Sequence, residues 1–253
     1  MIPNKLRLLW RNMGLGQTRC ANCLAPFTPE LPSNALDTPK NGPAGAAAPL
    51  CPQCSILFTP YKGPRCPHCA VPLQTAPAPC ALCRQNPASW DGIAAYGLYQ
   101  NTLRDALLRL KFGGALFLAP LLGACLLEAS CCLPWPDALT AVPQHPVHLR
   151  RRGFNQAHEL AKALHKLSGI PLQTELLRRH APHIPQTGLS AAERRRNKHH
   201  AFHAPAAAKD MRVWLIDDVM TTGITLSAAT HALRAAGAQG IYVLIVARTP
   251  LHS

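Results

Sequence analysis

The sequence predicts an α/β protein in which a three-layer domain with a mostly parallel sheet follows a small metal-binding module. Eight of the 11 cysteines fall in four Cys-x-x-Cys pairs before residue 84. From residue 90 onward, apolar runs typical of buried strands alternate with amphipathic stretches typical of helices. These observations predict a boundary near residue 88, with a metal-binding module over residues 1–88 and an α/β domain over residues 89–253.

The four cysteine pairs predict two structural zinc sites. Each pair supplies two thiolates from one tight turn, and two pairs complete a closed tetrahedral site that orders a segment with little apolar core. The spacing is compatible with pairing in sequence order and with a cross-braced arrangement. Residues 28–49, rich in proline and alanine, are predicted to form a loop between metal-binding turns. The candidate ligands are Cys20, Cys23, Cys51, Cys54, Cys66, Cys69, Cys80 and Cys83.

Strands and helices are predicted to alternate along the α/β domain. The predicted strands are Ile93–Tyr99, Leu139–Val142, Val213–Ile216 and Ile241–Ala247. The predicted helices are Asn101–Phe112, residues 115–127, Gln156–Ser168 and Thr225–Ala236. Pro120 is expected to start or kink the second helix, and Gly169 and Gly237 to end the third and fourth. Residues 180–200 are polar, basic and rich in turn-forming residues.

Residues 213–225, with the sequence VWLIDDVMTTGIT, join a buried strand to two acids and a Thr/Gly loop. Open α/β sheets bind ligands where a parallel strand turns into a helix, and free N–H groups at the helix start attract phosphate. Gly223 lets a backbone approach closely. Asp217 and Asp218 are placed to accept hydrogen bonds from two sugar hydroxyls or to hold Mg²⁺. The implied ligand is a ribose 5-phosphate with free ring hydroxyls.

Two alternatives compete with this ligand-binding interpretation. A buried strand followed by a helix that is capped by Asp218 and the threonines would have the same outline, although capping needs neither two acids nor the TTG sequence. A Walker-type ATPase shares the strand that ends in acids. Its GxxxxGK[ST] motif, however, occurs nowhere in the chain.

The same 13 residues resemble the phosphoribosyl-pyrophosphate motif of type I phosphoribosyltransferases. RGFNQ at 152–156 and QTGLSAAERRRNKHHAF at 186–202, between the cysteine module and this motif, extend the resemblance to the ComF family, including GntX-type proteins. The resemblance implies a type I phosphoribosyltransferase-like parallel sheet flanked by helices, with a zinc-ribbon-like module in front. It also implies a role in uptake or use of external DNA, including natural competence.

The resemblance also implies a set of site residues. Asp217 and Asp218 are the expected catalytic residues, and Arg152 and Arg194 are candidates for contacts to pyrophosphate or to a DNA phosphate. Apart from the resemblance, Lys111 is expected to point toward the site from the end of the predicted helix Asn101–Phe112. Phosphoribosyl pyrophosphate with Mg²⁺ is expected to be bound by Asp217, Asp218, Val219, Met220, Thr221, Thr222, Gly223, Ile224 and Thr225.

The charge of the chain favours polyanionic partners. Lysine and arginine total 26 against 12 acidic residues, which gives a net charge of +14. Residues 144–200 alone contain 11 basic and three acidic residues. Single-stranded DNA and other DNA-uptake proteins are the expected macromolecular partners. The chain lacks a secretory signal and an apolar stretch long enough for a membrane span, so a cytoplasmic location is expected.

Three functions are compatible with these features. The first is a phosphoribosyltransferase-like protein that binds phosphoribosyl pyrophosphate and acts in DNA uptake. The second is an active phosphoribosyltransferase whose acceptor the sequence does not define. The third is a non-enzymatic, zinc-dependent adaptor for single-stranded DNA.

Overall fold

The computed structural model describes residues 17–29, 49–75, 77–179 and 201–250. Its strands are β1 (Thr18–Arg19), β2 (Pro26–Phe27), β3 (Gly92–Leu98), β4 (Ala138–Ala141), β5 (Arg178–Arg179), β6 (Phe202–His203), β7 (Arg212–Met220) and β8 (Gly240–Arg248). Its α-helices are α1 (Pro52–Leu57), α2 (Ala81–Gln85), α3 (Asn101–Gly113), α4 (Ala119–Ala129), α5 (Pro146–Arg152), α6 (Gln156–Ser168) and α7 (Ile224–Ala235).

The main sheet contains four parallel strands in the order β3–β8–β7–β4. Its two central strands are apolar on both faces, which is typical of a parallel sheet covered on each side. Residues 213–216 of β7 and residues 243–247 of β8 are fully buried. The predicted α/β fold with a parallel sheet is therefore confirmed.

Helices cover both faces of the sheet. Helices α3, α4 and α6 pack on one face, where Leu107, Leu122 and Leu160 meet Trp214 and Leu244. Helix α7 packs on the other face through apolar residues that include Leu226, Ala229 and Leu233, together with Val213 and Val243. Two apolar layers with the sheet between them give the three-layer arrangement and hold the carboxyl ends of the strands in fixed positions.

The cysteine-rich segment is built from short elements. The β1–β2 hairpin and α1 belong to the first cysteine cluster, and α2 to the second. The segment is attached to β3, since Tyr61 N–H donates to Tyr96 O at 3.0 Å and the Tyr96 hydroxyl donates to Phe58 O at 2.6 Å. Segments this short gain little from helix or sheet formation alone, which explains why residue periodicity gave no sign of them.

Two of the differences between the observed and the predicted elements lie close to the candidate site. Strand β7 continues to Met220, past the expected end at Ile216, because β8 continues to pair with it as far as Arg248. Helix α5 was not predicted, since its seven residues carry no apolar stripe. Of the two roles expected for Pro120, the structure shows the first, because Pro120 lies in the first turn of α4 and starts the helix. The basic segment expected over residues 180–200 lies outside the described residues.

None of the helices in the described ranges combines the length and the apolar character that crossing a bilayer requires.

Candidate functional site

The candidate site lies at the carboxyl end of β7, where the strand passes into α7 through residues 221–223. Asp217 and Asp218 occupy the end of the strand, and the loop that follows is open to solvent. Thr221, Thr222 and Thr225 are all exposed. The loop therefore offers an accessible surface directly beside two carboxyl groups.

The backbone of this loop carries a row of free donors. The N–H groups of residues 221–225 donate no hydrogen bond within the described part of the chain. The first N–H groups of any helix lack partners inside the helix, and here the preceding loop adds more. Donors of this kind, at the positive end of the α7 dipole, suit a phosphate group.

Gly223 fixes the shape of the turn. Its φ angle is +77°, a left-handed conformation that a residue with a side chain rarely adopts. A Cβ atom at this position would lie 2.5 Å from Met220 Cε and 3.5 Å from Trp90 Cη2. Met220 and Trp90 pack against this side of the turn, so only glycine allows the turn to keep this shape.

Asp218 is buried and has two polar partners on the face of the sheet that α3 and α6 cover. The Lys111 ammonium lies 3.6 Å from Asp218 Oδ2, and Gln156 Nε2 donates to the same oxygen at 3.3 Å. Its other oxygen, Oδ1, accepts from Val219 N–H at 2.8 Å. These contacts orient the carboxylate and balance its charge.

The start of α6 positions Gln156 beside Asp218. Asn155 caps the helix by accepting from Ala157 N–H at 3.0 Å, and its amide donates to Val142 O at the end of β4. Arg152, at the end of α5, donates to Gln156 Oε1 at 3.4 Å, and the Gln144 side chain also donates to this oxygen. Arg152 therefore reaches the acid pair through Gln156.

Asp217 has a different environment. Its Oδ1 accepts from Asp218 N–H at 2.9 Å. Burial and the neighbouring Asp218 carboxylate raise the pKa of Asp217 well above its usual range. Arg179 in β5 lies nearby: burial lowers the pKa of Arg179, and the charge of Asp217 acts against that shift. Cationic groups or hydroxyl donors of a ligand would favour the ionised form of Asp217.

The eight paired cysteines form two clusters at some distance in sequence from the acids. The first cluster is Cys20, Cys23, Cys51 and Cys54, and the second is Cys66, Cys69, Cys80 and Cys83. Within each cluster the sulfurs lie within 4.8 Å of one another. Of the two arrangements compatible with the spacing, the chain adopts pairing in sequence order.

The sulfur positions fit tetrahedral zinc. A zinc–sulfur bond of about 2.3 Å places tetrahedral sulfurs about 3.8 Å apart. Cys23 Sγ and Cys51 Sγ are separated by 3.8 Å, and Cys69 Sγ and Cys80 Sγ by 3.7 Å. Such a zinc ion would supply structural cross-links that a small apolar core cannot.

Backbone donors prepare one thiol in each cluster for metal binding. Burial raises the pKa of Cys20, but N–H groups of Cys51, Cys23 and Asn22 outweigh it and lower the pKa to about 6. Burial also raises the pKa of Cys66, but N–H groups of the backbone again outweigh this effect and lower the pKa to about 7. Since zinc binds the thiolate, both clusters are chemically suited to the metal.

The structure brings some of the predicted site residues together and adds others. Asp217 and Asp218 stand near the end of β7, directly before the exposed loop, and Lys111 contacts Asp218. Sequence reasoning missed Gln156 and Arg179. Gln156 is the last residue of the RGFNQ motif, which was the available signal, whereas nothing in the sequence marked Arg179. Arg194 lies outside the described residues.

Comparison with known proteins places this site in a known domain. Residues 147–250 match the model of the phosphoribosyl transferase domain family. The chain is 33% identical to Competence protein F of Haemophilus influenzae over 208 residues, which cover 79% of this chain and 90% of that protein. It is 30% identical to DNA utilization protein YhgH of Escherichia coli K12 over 206 residues, with the same coverage of 79% and 90%.

A second relative in the DNA-utilization group gives the same result. DNA utilization protein YhgH of Salmonella typhi is 30% identical over 190 residues, 73% of this chain and 84% of that protein. The similarity spans most of both chains, and the domain match covers β7, the acid pair and the loop. The chain therefore belongs to the ComF family, with a phosphoribosyl transferase domain behind two N-terminal cysteine clusters.

Proposed function

We propose that this protein binds phosphoribosyl pyrophosphate at the β7–α7 loop and acts in the cytoplasm in the uptake or processing of external DNA. The observation that carries the ligand proposal is the exposed loop, whose five consecutive N–H groups are unengaged within the described chain and follow directly after two acids. The role in DNA use is supported by the names of the relatives, Competence protein F and DNA utilization protein YhgH.

The proposed ligand has a part for each feature of the site. The 5-phosphate accepts hydrogen bonds from the loop N–H groups and threonine hydroxyls. The ribose hydroxyls donate to Asp217 and Asp218, and Mg²⁺ balances the charge of the pyrophosphate. Lys111 and Arg152 lie on the Asp218 side of the site. Their positive charges would favour an anionic group of the ligand there.

Calorimetric titration tests the ligand proposal. Phosphoribosyl pyrophosphate with Mg²⁺ is titrated into the zinc-loaded wild type, the double variant Asp217→Asn/Asp218→Asn, and an Asp105→Asn control. Asp105 is exposed on α3, and its salt-bridge partner among the described residues is Arg104. We expect micromolar binding to the wild type and the control and loss of at least tenfold in the double variant. Absence of binding to the wild type would contradict the proposal.

Turnover is tested separately by pyrophosphate release. If the protein is an active phosphoribosyltransferase, released pyrophosphate should depend on an added acceptor and on Asp217 and Asp218. Binding without release across nucleobase and nucleotide acceptors would favour a ligand-binding role over catalysis. The match to the transferase domain supports the fold of such an enzyme and leaves the reaction open.

A second candidate function, binding of single-stranded DNA, is favoured by arginine–aromatic pairs around α3. Arg152 lies over Phe112 at 5.0 Å and Arg109 over Phe117 at 5.6 Å. Phe112 and Phe117 are 65% and 43% exposed as residues. Exposed rings flanked by guanidinium groups can stack bases while cations contact the backbone.

Fluorescence anisotropy with a labelled oligothymidine tests this second function. We expect Phe112→Ala/Phe117→Ala to weaken binding about tenfold or more, in line with the loss of two stacked bases. Trp135→Ala is the matched control, because Trp135 is 55% exposed and precedes β4 at the opposite edge of the sheet. Equal binding by all three proteins would exclude this surface as the DNA site.

A further inference from the structure

Arg248, at the end of β8, is a buried cation whose side-chain hydrogen bonds within the described residues all go to backbone carbonyls. Its Nε donates to Cys69 O at 2.8 Å. Its Nη1 lies within hydrogen-bond distance of three more oxygens: Met220 O at 2.9 Å, Thr221 O at 2.6 Å and Thr249 O at 2.8 Å. Only 4% of the residue is exposed, and no carboxylate of the described chain forms an ion pair with it.

These partners belong to two different parts of the molecule. Cys69 closes a metal-binding turn of the second cysteine cluster. Met220 ends β7, and Thr221 begins the loop of the candidate ligand site. One planar guanidinium group therefore joins the metal-binding turn to the ligand loop, and its fixed geometry sets the direction of the carbonyl groups on both sides.

Two neighbouring residues strengthen the same connection. Trp90 Nε1 donates to His68 O, inside the metal-binding turn, at 2.8 Å. The ring of Trp90 also lies beneath the turn at Gly223, where its Cη2 would be 3.5 Å from an added Cβ. Ser89 Oγ lies 3.3 Å from Ser227 Oγ in the first turn of α7.

The first cysteine cluster has different contacts. Asn22 donates to Cys54 Sγ at 3.4 Å and accepts from Arg109 on α3 at 3.2 Å. Within the described ranges, no hydrogen bond joins Cys20, Cys23, Cys51 or Cys54 to residues 220–225. The two clusters therefore differ in whether they contact the ligand loop, although each consists of four cysteines.

We propose that Arg248 is a positioning residue for the ligand loop, and that metal in the second cluster holds Arg248 and the loop in the conformation that receives the ligand. A four-cysteine segment of this size loses its order without metal, since it has little apolar core of its own. The Cys69 carbonyl would then no longer hold the guanidinium. The loop would populate other conformations, and the apparent affinity for a ligand would fall with the fraction in the competent one.

The part of this inference that concerns affinity rests on the proposed binding of phosphoribosyl pyrophosphate. The coupling between the second cysteine cluster and the loop can be measured without any ligand. Two amide groups report on the loop directly. Ser227 N–H bonds to Gly223 O at 2.8 Å, and Thr249 N–H bonds to Met220 O at 3.0 Å. Their hydrogen exchange, followed by NMR in the full chain, measures how often the loop opens.

The first experiment removes one metal-binding cysteine from each cluster in turn. In Cys66→Ser we expect exchange at Ser227 and Thr249 to become at least tenfold faster. In Cys20→Ser, the matched control, we expect less than a twofold change. Zinc content is measured for both proteins to establish that each variant has lost the metal of one cluster. Equal acceleration in both variants, or none in Cys66→Ser, would overturn the proposal.

The second experiment changes Arg248 while the metal ligands stay intact. Arg248→Lys keeps the charge but cannot bridge the same carbonyls. We expect two zinc ions per chain, faster exchange at Ser227 and Thr249, and at least tenfold weaker binding of phosphoribosyl pyrophosphate. Arg234→Lys is the control, because Arg234 also bonds two carbonyls, Ala238 O and Gln239 O, but at the far end of α7. If Arg248→Lys proves insoluble, Trp90→Phe takes its place. This variant removes a single hydrogen-bond donor, so we expect a smaller acceleration of exchange at Ser227 and Thr249.

The outcomes separate this inference from the proposed function. If the wild type binds no phosphoribosyl pyrophosphate but Cys66→Ser and Arg248→Lys accelerate exchange, the coupling stands and the ligand proposal fails. If the wild type binds the ligand and neither variant changes exchange or affinity, the ligand proposal stands and the coupling fails.

Discussion

Asp217 and Asp218 are adjacent in sequence, yet their surroundings give them different properties. Asp218 faces an ammonium group and an amide donor, so its charge is balanced within the chain. Asp217 is half-buried beside another carboxylate, and both the partial burial and the neighbouring charge raise its pKa. The ionised form of Asp217 is therefore the less stable part of the unliganded site, and a ligand with hydroxyl donors or a bound cation would stabilise it.

Replacement of Asp217 by asparagine should stabilise the unliganded protein at neutral pH. Because the pKa is higher in the folded chain than in the unfolded chain, stability should fall as pH rises from about 4 toward the folded-state pKa. Asp217→Asn removes this loss and keeps the oxygen that accepts from Asp218 N–H. We expect the Tm of the variant to exceed that of the wild type by at least about 2 °C at pH 7.5, and by less at pH 4.

The control for this experiment is Asp105→Asn, at an exposed carboxylate on α3. Its Tm should follow that of the wild type at both pH values. A Tm difference for Asp217→Asn that is the same at pH 4 and pH 7.5 would contradict a raised pKa.

Replacement of Gly223 by alanine should change the shape of the ligand loop, in addition to the cost of placing alanine in a left-handed conformation. The added Cβ would lie 2.5 Å from Met220 Cε, so the side chain or the turn must move. Gly169 is the matched control, because its φ angle is +74° and nothing lies within 4 Å of an added Cβ. Both variants should lose roughly 1 kcal/mol in the free energy of unfolding from the left-handed backbone.

Only Gly223→Ala should, in addition, weaken binding of phosphoribosyl pyrophosphate at least tenfold in calorimetric titration. Equal affinities of the two glycine variants would show that the shape of this turn is not needed for the ligand.

At the residue scale, the sequence predicted which residues of the β7 segment stand together, because they are neighbours along the chain. The partners from other elements were harder to predict. Lys111 and Gln156 contact Asp218 from α3 and α6, and Arg179 in β5 interacts electrostatically with Asp217. Only tertiary packing brings these three residues near, and of them Lys111 alone was expected at the site. Gln156 could be associated with the site through the family motif, whereas Arg179 sits in a two-residue strand without any local pattern.

At the scale of elements, long periodic segments were predicted well and short ones were not. Helix α6 has the predicted bounds, since its apolar stripe and its ends are all marked in the sequence. Helix α5 was not predicted for two reasons. Its first turn is capped by a histidine, His145, which accepts from Val147 N–H in place of the usual Ser, Thr, Asp or Asn, and its last turn consists of three arginines. Strand β7 is longer than predicted because its end is set by pairing with β8 rather than by the apolar run.

The cysteine clusters make a quantitative prediction at this scale. The purified protein should contain two zinc ions per chain, and Cys66→Ser or Cys20→Ser should each reduce the content to one. Structural zinc contributes directly to folding, so metal removal by a chelator should also lower the Tm. Zinc analysis by mass spectrometry measures the content. A single ion in the wild type would contradict two independent clusters.

At the scale of the whole molecule, the charge of +14 favours nucleic-acid contact and sets its dependence on salt. The slope of log affinity against log salt for a single strand is about −0.7 per phosphate contact. Changing Arg104, Arg109 and Arg152 to glutamine should therefore reduce the magnitude of the slope by about 2 if each contacts a phosphate. Anisotropy titrations at several salt concentrations measure it, and an unchanged slope would place the DNA contacts on another surface.

The most direct test of the central claim is NMR titration of the isotope-labelled, zinc-loaded protein with phosphoribosyl pyrophosphate and Mg²⁺. The claim is that the loop after β7 receives the phosphate through its free N–H groups. The largest amide shifts should therefore occur at residues 221–225, with smaller ones at Asp217 and Asp218. No shifts, or the largest shifts elsewhere in the chain, would contradict the account.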